Sequence, residues 1–251
     1  MKLTFLGTGT STGNPVLLCS CATCMSKDPR DRRLRSSILI EDQGVSILID
    51  CGPDFREQAL RANIRQVSAV LITHEHYDHM GGLDDLRPFC SYSEMPLYAV
   101  PRILSHLKVA MPYSFRENPY PGVPLFDLRP VNLSKFKFKH LEIIPIEVFH
   151  HKLPVMGYRI GDLTYLTDFN HISPKELEKV MGSKVLIVDA LRSQEHISHN
   201  TLQQALDVIA AVSPERSYLI HMSHDMGLQA EVEPTLPSGV FFSYDGLVLT
   251  L

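Results

Sequence analysis

The chain has 251 residues, 44% hydrophobic and 21% charged, and a net charge of −4 with its histidines neutral. That length can bury a substantial core, and the composition excludes a disordered chain, a collagen-like repeat and a coiled coil. No apolar run reaches the roughly 18 residues of a membrane span, no global basic field attracts nucleic acid, and the absence of tryptophan weakens a base-stacking surface.

Lys2–Leu6 reads as a strand, broken by Gly7-Thr8-Gly9 too early for a signal peptide, so a cytoplasmic location is expected. Ser36–Glu41 and Val45–Asp50 read as a hairpin around Asp42-Gln43-Gly44. Asp54–Ala62 has helical spacing, with Phe55, Ala59 and Leu60 on one face. Ala69–Thr73 is a short continuous apolar run, the pattern of a strand buried on both faces. Leu97–Val100 repeats it, and Pro101 suits the first position of a helix. Leu141–Phe149 and Leu163–Thr167 read as strands. Ser173 reads as a helix cap, with Glu176 completing a capping box. Val185–Asp189 is a buried strand, and Asn200–Val212 is helical with Leu202, Ala205, Leu206 and Ile209 on one stripe. Ser217–Ile220 is a strand, followed by a closing hairpin of Val240–Tyr244 and Leu247–Leu251. Without a linker or repeat, residues 1–251 form one expected domain. Two strand-rich halves, each trailing helices, predict an α/β (α+β) sandwich of two sheets face to face with helices outside.

Four of these strands run directly into a His or Asp: His74, His150, Asp168 and His221. A strand end holds a ligand rigidly, and four can converge on one cleft. The densest signal is His74-Glu75-His76-Tyr77-Asp78-His79. In extended chain His74 and His76 point the same way, and Asp78 and His79 follow where the chain must turn. Three imidazoles and a carboxylate so close suit a divalent ion such as zinc, manganese or iron. Cys19, Cys21 and Cys24 form a second cluster. Five cysteines is an odd number, and three within six residues fit metal binding in a reducing compartment better than disulfides. Three thiolates lack a fourth tetrahedral ligand, and His224 is the candidate. Cys51 and Cys90 read as ordinary buried residues.

His-x-His-x-Asp-His after a buried strand resembles the signature of the metallo-β-lactamase superfamily, over the whole chain. The resemblance implies an αββα sandwich with two divalent ions at one end: His74, His76 and His150 on the first, Asp78, His79 and His221 on the second, and Asp168 bridging. His151 rivals His150. The ions implied are zinc or manganese, with iron or nickel as further options, beside one structural zinc on Cys19, Cys21, Cys24 and His224. The cysteine cluster, Leu6-Gly7-Thr8-Gly9-Thr10-Ser11, Lys152-Leu153-Pro154 and Asp245-Gly246 narrow the resemblance to the phosphoribosyl 1,2-cyclic phosphate phosphodiesterase subgroup, which serves the carbon–phosphorus lyase pathway. This implies a hydrolase of a small, cyclic or linear, phosphodiester, by attack of a hydroxide bridging the ions, with Asp78 and His199 as catalytic residues. His199 matches a histidine supporting proton transfer in that subgroup; its position before a helix also allows a solvent-exposed role, which suits His196 better.

Arg35, Lys152 and Arg192 are the candidate phosphate-binding residues, although the run Arg30, Arg32, Arg33, Arg35 also reads as a solvated loop. Gly7-Thr8-Gly9 is no dinucleotide fingerprint, because Gly13 comes one residue late; a tight turn beside the site is expected. The expected partner is a small phosphorylated substrate, with no membrane and no nucleic acid; a homodimer is left open. The rival functions are a lactonase or RNA-processing nuclease on the same scaffold, or a metal-binding accessory protein of the pyrroloquinoline quinone type.

Overall fold

The computed structural model describes residues 1–90 and 93–251. In the first half β1 (Lys2–Gly7), β2 (Ser37–Asp42), β3 (Val45–Ile49), β4 (Ala69–Leu71), β5 (Met95–Ala99) and β6 (Phe126–Pro130) follow in chain order. In the second half come β7 (Phe136–Phe138), β8 (Leu141–His150), β9 (Leu153–Ile160), β10 (Leu163–Leu166), β11 (His171–Ile172), β12 (Val185–Asp189), β13 (Arg216–Ile220) and β14 (Val240–Phe242), and β15 (Val248–Thr250) ends the chain. Among the described residues these make a seven-stranded sheet, β15-β1-β2-β3-β4-β5-β6, and an eight-stranded one, β11-β8-β9-β10-β12-β13-β14 with β7 on β8. The helices are α1 (Phe55–Arg61), α2 (Tyr77–Met80), α3 (Pro101–Ala110), α4 (Pro174–Val180), α5 (Leu202–Val212) and α6 (Gln229–Val232).

The alternation of side chains along the buried strands builds the layers. On β4 Ala69 and Leu71 enter the core between the sheets, while Val70 and Ile72, just beyond its end, pack beneath α3 residues Ile103, Leu104 and Leu107. On β12 Val185 and Ile187 face the inter-sheet core, and Leu186 and Val188 meet Ala205, Ile209 and Val212 of α5. A strand buried on both faces reads as a continuous apolar run, and full burial of each such side chain stabilises by about 1.5–3 kcal/mol. β3, β4 and β5 are parallel, as are β10, β12 and β13. Their C-terminal ends therefore lie together at one end of each sheet.

Three local expectations are corrected. Val240–Tyr244 and Leu247–Leu251 form no hairpin: β14 joins the second sheet parallel to β13, and β15 joins the first antiparallel to β1. The chain crosses between sheets at Asp245, whose buried carboxylate accepts from the Leu34 N–H and the Thr8 hydroxyl, both at 2.8 Å. Ser173 does cap α4 by accepting from the Glu176 N–H, but the Glu176 carboxylate leaves the cap to accept from the Glu147 N–H of β8 at 2.9 Å and to pair with Lys179. The reciprocal capping box forms instead at α5, between Thr201 and Gln204. Nor do Gly7–Gly9 make a tight turn. The segment stays extended, and Gly9 bridges in parallel to Arg35 and to Met222, tying the two halves together. A β-carbon at Gly7 would lie 2.0 Å from the Arg35 carbonyl oxygen, so close backbone approach explains that glycine.

Candidate metal centre

The strand ends deliver their polar residues to one place. Asp50 follows β3, Asp168 lies two residues beyond β10, and His221 follows β13; each has a left-handed backbone, with φ of 62°, 51° and 61°. Such φ values cost energy for non-glycine residues and cluster at functional sites. Here they accompany the turn from each strand into the cleft. After β4, His74 is extended, His76 caps α2, and Asp78 and His79 sit within its single turn. That turn packs against the segment after Asp50. The Cys51 N–H donates to the His79 carbonyl at 2.8 Å, and a β-carbon at Gly52 would lie 2.0 Å from the Asp78 carbonyl oxygen. Across the cleft the Met156 N–H of β9 donates to the Thr73 carbonyl at 3.0 Å, joining the second sheet to the base of this loop.

Asp78, His79, Asp168 and His221 are all buried, and one ligand atom from each lies within 4.8 Å of the others. His79 Nε2 is 3.1 Å from Asp78 Oδ2 and 3.3 Å from Asp168 Oδ1. His221 Nε2 is 3.1 Å from Asp168 Oδ2 and 3.5 Å from Asp78 Oδ2. The other predicted ligands are gathered less tightly. His74 Nε2 is 3.9 Å from Asp168 and makes a 2.9 Å contact with His76 Nδ1. The His150 ring lies 5.3 Å from that of the exposed His76 and 4.4 Å from that of His199. His150 faces the cluster; its rival His151 is exposed in the β8–β9 turn with φ 56°.

Two aspartates missing from the sequence-based set orient these imidazoles. Asp50, fully buried, accepts from the Thr73 N–H and hydroxyl at 2.8 and 2.9 Å and lies 2.7 Å from His79 Nδ1. Asp189, at the end of β12, lies 3.2 Å from His199 Nδ1 and 3.8 Å from His221 Nδ1. His150 Nδ1 is 3.0 Å from the Ser198 carbonyl. When Nδ1 gives its proton to such an acceptor, the Nε2 lone pair is left for a ligand. A signal for both aspartates was present: each ends an apolar strand run, the pattern that singled out His74 and Asp168.

The donor set fits divalent metal. His79 Nε2 and both His221 ring nitrogens are buried without a hydrogen-bond partner, although carboxylates stand close by. Burial alone would lower the His79 pKa, yet Asp168, Asp78 and Asp50 hold it well above the ordinary value. A pocket that holds a proton so firmly attracts a cation. Asp168 stays well below the usual carboxylate range despite burial, because His221 and His79 favour its charge. His150 differs: burial pulls it down to about 4, leaving it a neutral donor at physiological pH. His199 is buried, which removes its solvent-exposed reading. Burial opposes its charge too, but the charge and hydrogen bond of Asp189 prevail and raise it to about 9.

The side chains of the cysteine cluster and His224 also come together. Cys19 Sγ and Cys21 Sγ are each 3.3 Å from His224 Nδ1, and one ligand atom from each of these residues and Cys24 lies within 4.8 Å of the rest. Backbone N–H groups of Val16 and Cys24 donate to the sulfurs of Cys24 and Cys21 at 3.3 and 3.4 Å. The Cys24 N–H and His224 lower the Cys21 thiol to about 6, whereas burial pushes Cys24 up to about 11. Cys51 and Cys90 are buried and unpaired by disulfide, as expected.

The basic residues are dispersed. The Arg35 guanidinium pairs with Asp54 at 2.8 Å and donates to the Ser11 carbonyl at 3.0 Å. Arg192 donates to the carbonyls of Gln194 and Glu195 at 3.3 and 2.9 Å and lies 3.6 Å from Asp225. Lys152 is exposed in the turn beyond His150. Arg33 belongs to no solvated loop: it is buried, donating to Thr8, Ser243 and Gln229. No helix is long and apolar enough to cross a membrane among the described residues.

Comparison with known proteins agrees with this geometry. The crystal structure of a new diphosphatase from the PhnP family superposes with a TM-score of 0.93 and 37% identity, covering 100% of this chain and 97% of that one. An octanoyltransferase of Porphyromonas gingivalis is 44% identical over 250 residues, 98% of this chain but 51% of that protein. A ribonuclease Z of Crocosphaera subtropica is 28% identical over 185 residues, 70% of this chain and 53% of its own length. The chain thus spans about half the length of these curated relatives. Residues 46–222 match the β-lactamase superfamily domain, and with its two mixed sheets and strand-end His/Asp cluster the chain belongs to the metallo-β-lactamase superfamily.

Proposed function

We propose that the protein is a binuclear metal-dependent hydrolase of small phosphodiesters. The observation that carries this reading is the shared carboxylate Asp168, whose ligand atoms gather with those of Asp78, His79 and His221 and also with those of His150 and His199. In this assignment His74, His76 and His150 would hold one ion and Asp78, His79 and His221 the other, with Asp168 available to both. Divalent ions held there supply Lewis acidity toward phosphoryl oxygens and lower the pKa of water. Zinc or manganese suits these nitrogen and oxygen donors, with iron and nickel as alternatives, and Cys19, Cys21, Cys24 and His224 would hold a structural zinc.

The residues around the ligands supply the rest. Asp50 fixes the tautomer of His79, as partners of ligating imidazoles commonly do, and Asp189 orients the ring of His199. His199 keeps a proton near neutral pH through Asp189 and is placed to give it from Nε2 to a departing alkoxide. The cluster is made of imidazoles and carboxylates, so water is the nucleophile it suits. Phosphorus as the reacting centre is supported by the similarity to the PhnP-family diphosphatase. The net charge of −4 disfavours a long nucleic-acid substrate.

The test is a panel of cyclic and linear phosphodiesters, neutral lactones and a structured RNA, presented to protein of defined metal content. Turnover of a small phosphodiester that needs divalent metal supports the proposal. Efficient lactone or RNA hydrolysis without it, or no hydrolysis at full loading, rejects it.

A further inference from the structure

We infer that Arg102 is a positioning residue, a clamp joining the two turns that carry His74, His76 and His150. This rests on reading those histidines as ligands. Arg102 is the second residue of α3 and lies outside the cluster. Its NH1 is 3.0 Å from Glu75 Oε1, and its NH2 donates to the Pro154 carbonyl at 2.8 Å. Glu75 stands between His74 and His76, and Pro154 lies on β9 opposite Phe149, the residue before His150. One guanidinium therefore grips both turns, which belong to different sheets, on the side where His76 and His150 face each other at 5.3 Å. A planar fork with fixed donors can serve two acceptors at once; an ammonium on a flexible stem holds such a geometry poorly.

The far oxygen of the carboxylate strengthens the case. Glu75 Oε2 is buried and has no hydrogen-bond partner. Arg102 is thus the cation that balances the carboxylate of the residue that separates His74 from His76 in the chain. Without it, the charge would sit unpaired beside the ions or pull the His74–His76 turn outward. The competing view is of a partly exposed ion pair, with side chains 38% and 20% exposed. Exposed pairs contribute about 0–1 kcal/mol, whereas loss of a residue that orients metal ligands costs about 10–100-fold in metal affinity.

The experiment is chelator competition on the full chain with Mn²⁺ or Zn²⁺, comparing the parent with Arg102→Ala, Arg102→Lys, Glu75→Gln and the Arg102→Ala/Glu75→Gln double variant. Arg102→Ala should weaken one active-site ion about 10–100-fold, leave the other near parental affinity and scarcely move the Tm of the metal-free protein. Arg102→Lys should recover little, and the double variant should bind no worse than Arg102→Ala, because both changes remove one interaction. Parental affinity for both ions in Arg102→Ala and Glu75→Gln overturns the clamp, as does equal loss of both ions in step with a fall in Tm. These readouts need no substrate, so the clamp can stand or fall whether or not the protein hydrolyses phosphodiesters.

Discussion

The two ligand clusters solve opposite problems. The His/Asp cluster rests on strand ends of two packed sheets, with Asp50 and Asp189 buried behind it. The core positions those ligands whether or not an ion is bound. The Cys19–Cys24 and His224 cluster sits where a long N-terminal loop meets the residues after β13, and its sulfurs are approached by backbone N–H groups, His224 and the Asn14 side-chain carbonyl. There an ion would join two loop segments, adding to the hydrogen bonds that Asn14 and Asp31 already make across the loop. A ligand set on a scaffold that folds without it is free for chemistry, and one built on loops contributes to folding.

That contrast fails or sharpens under five substitutions, taken by the size of their expected effect on turnover. Asp168→Ala should reduce hydrolysis to background and lower metal content, while the Tm of metal-free protein changes little because water can fill the opened cleft; circular dichroism and elemental analysis check both. A large fall in Tm would mean that this cluster too is structural. His199→Ala should retain its metal and lose about 10²–10⁴-fold in rate on alkyl phosphodiesters, but much less on a nitrophenyl diester, whose leaving group departs unaided. Equal losses on both would make His199 a binding or positioning group. Asp189→Asn or Asp50→Asn should weaken metal binding about 10–100-fold, read by chelator competition, with partial recovery of rate at high metal. Cys21→Ser should act the other way round: a clear loss of Tm and of one zinc per chain, with the folded fraction turning over within a few-fold of the parent. Parental melting with zinc retained would remove the structural site.

How much was legible beforehand depends on the range of the interaction. The strands of the buried centre were readable because continuous apolar runs such as Ala69–Leu71 and Val185–Val188 report burial on both faces, whatever surrounds them. Not every strand was readable in this way: the short strands β6, β7 and β11 carried no comparable run and were not predicted, and neither was β9, which lies between β8 and β10. The Glu176 carboxylate illustrates a second limit. Its local spacing fitted a capping box, but the Glu147 N–H on β8 competed for it and prevailed.

The sequence by itself determined the buried strands with continuous apolar runs, the spacing of His74, His76, Asp78 and His79, and the proximity of three cysteines along the chain, because these are short-range properties of the backbone and of ligand chemistry. The tertiary structure decided the choice of His150 over His151, the burial of Arg33 and His199, and the split of the last two strands between sheets. It also recruited Asp50 and Asp189, whose partners lie up to 32 residues away. Each of these depends on which distant backbone or charge arrives beside the residue once the sheets pack, and no local pattern encodes that arrival.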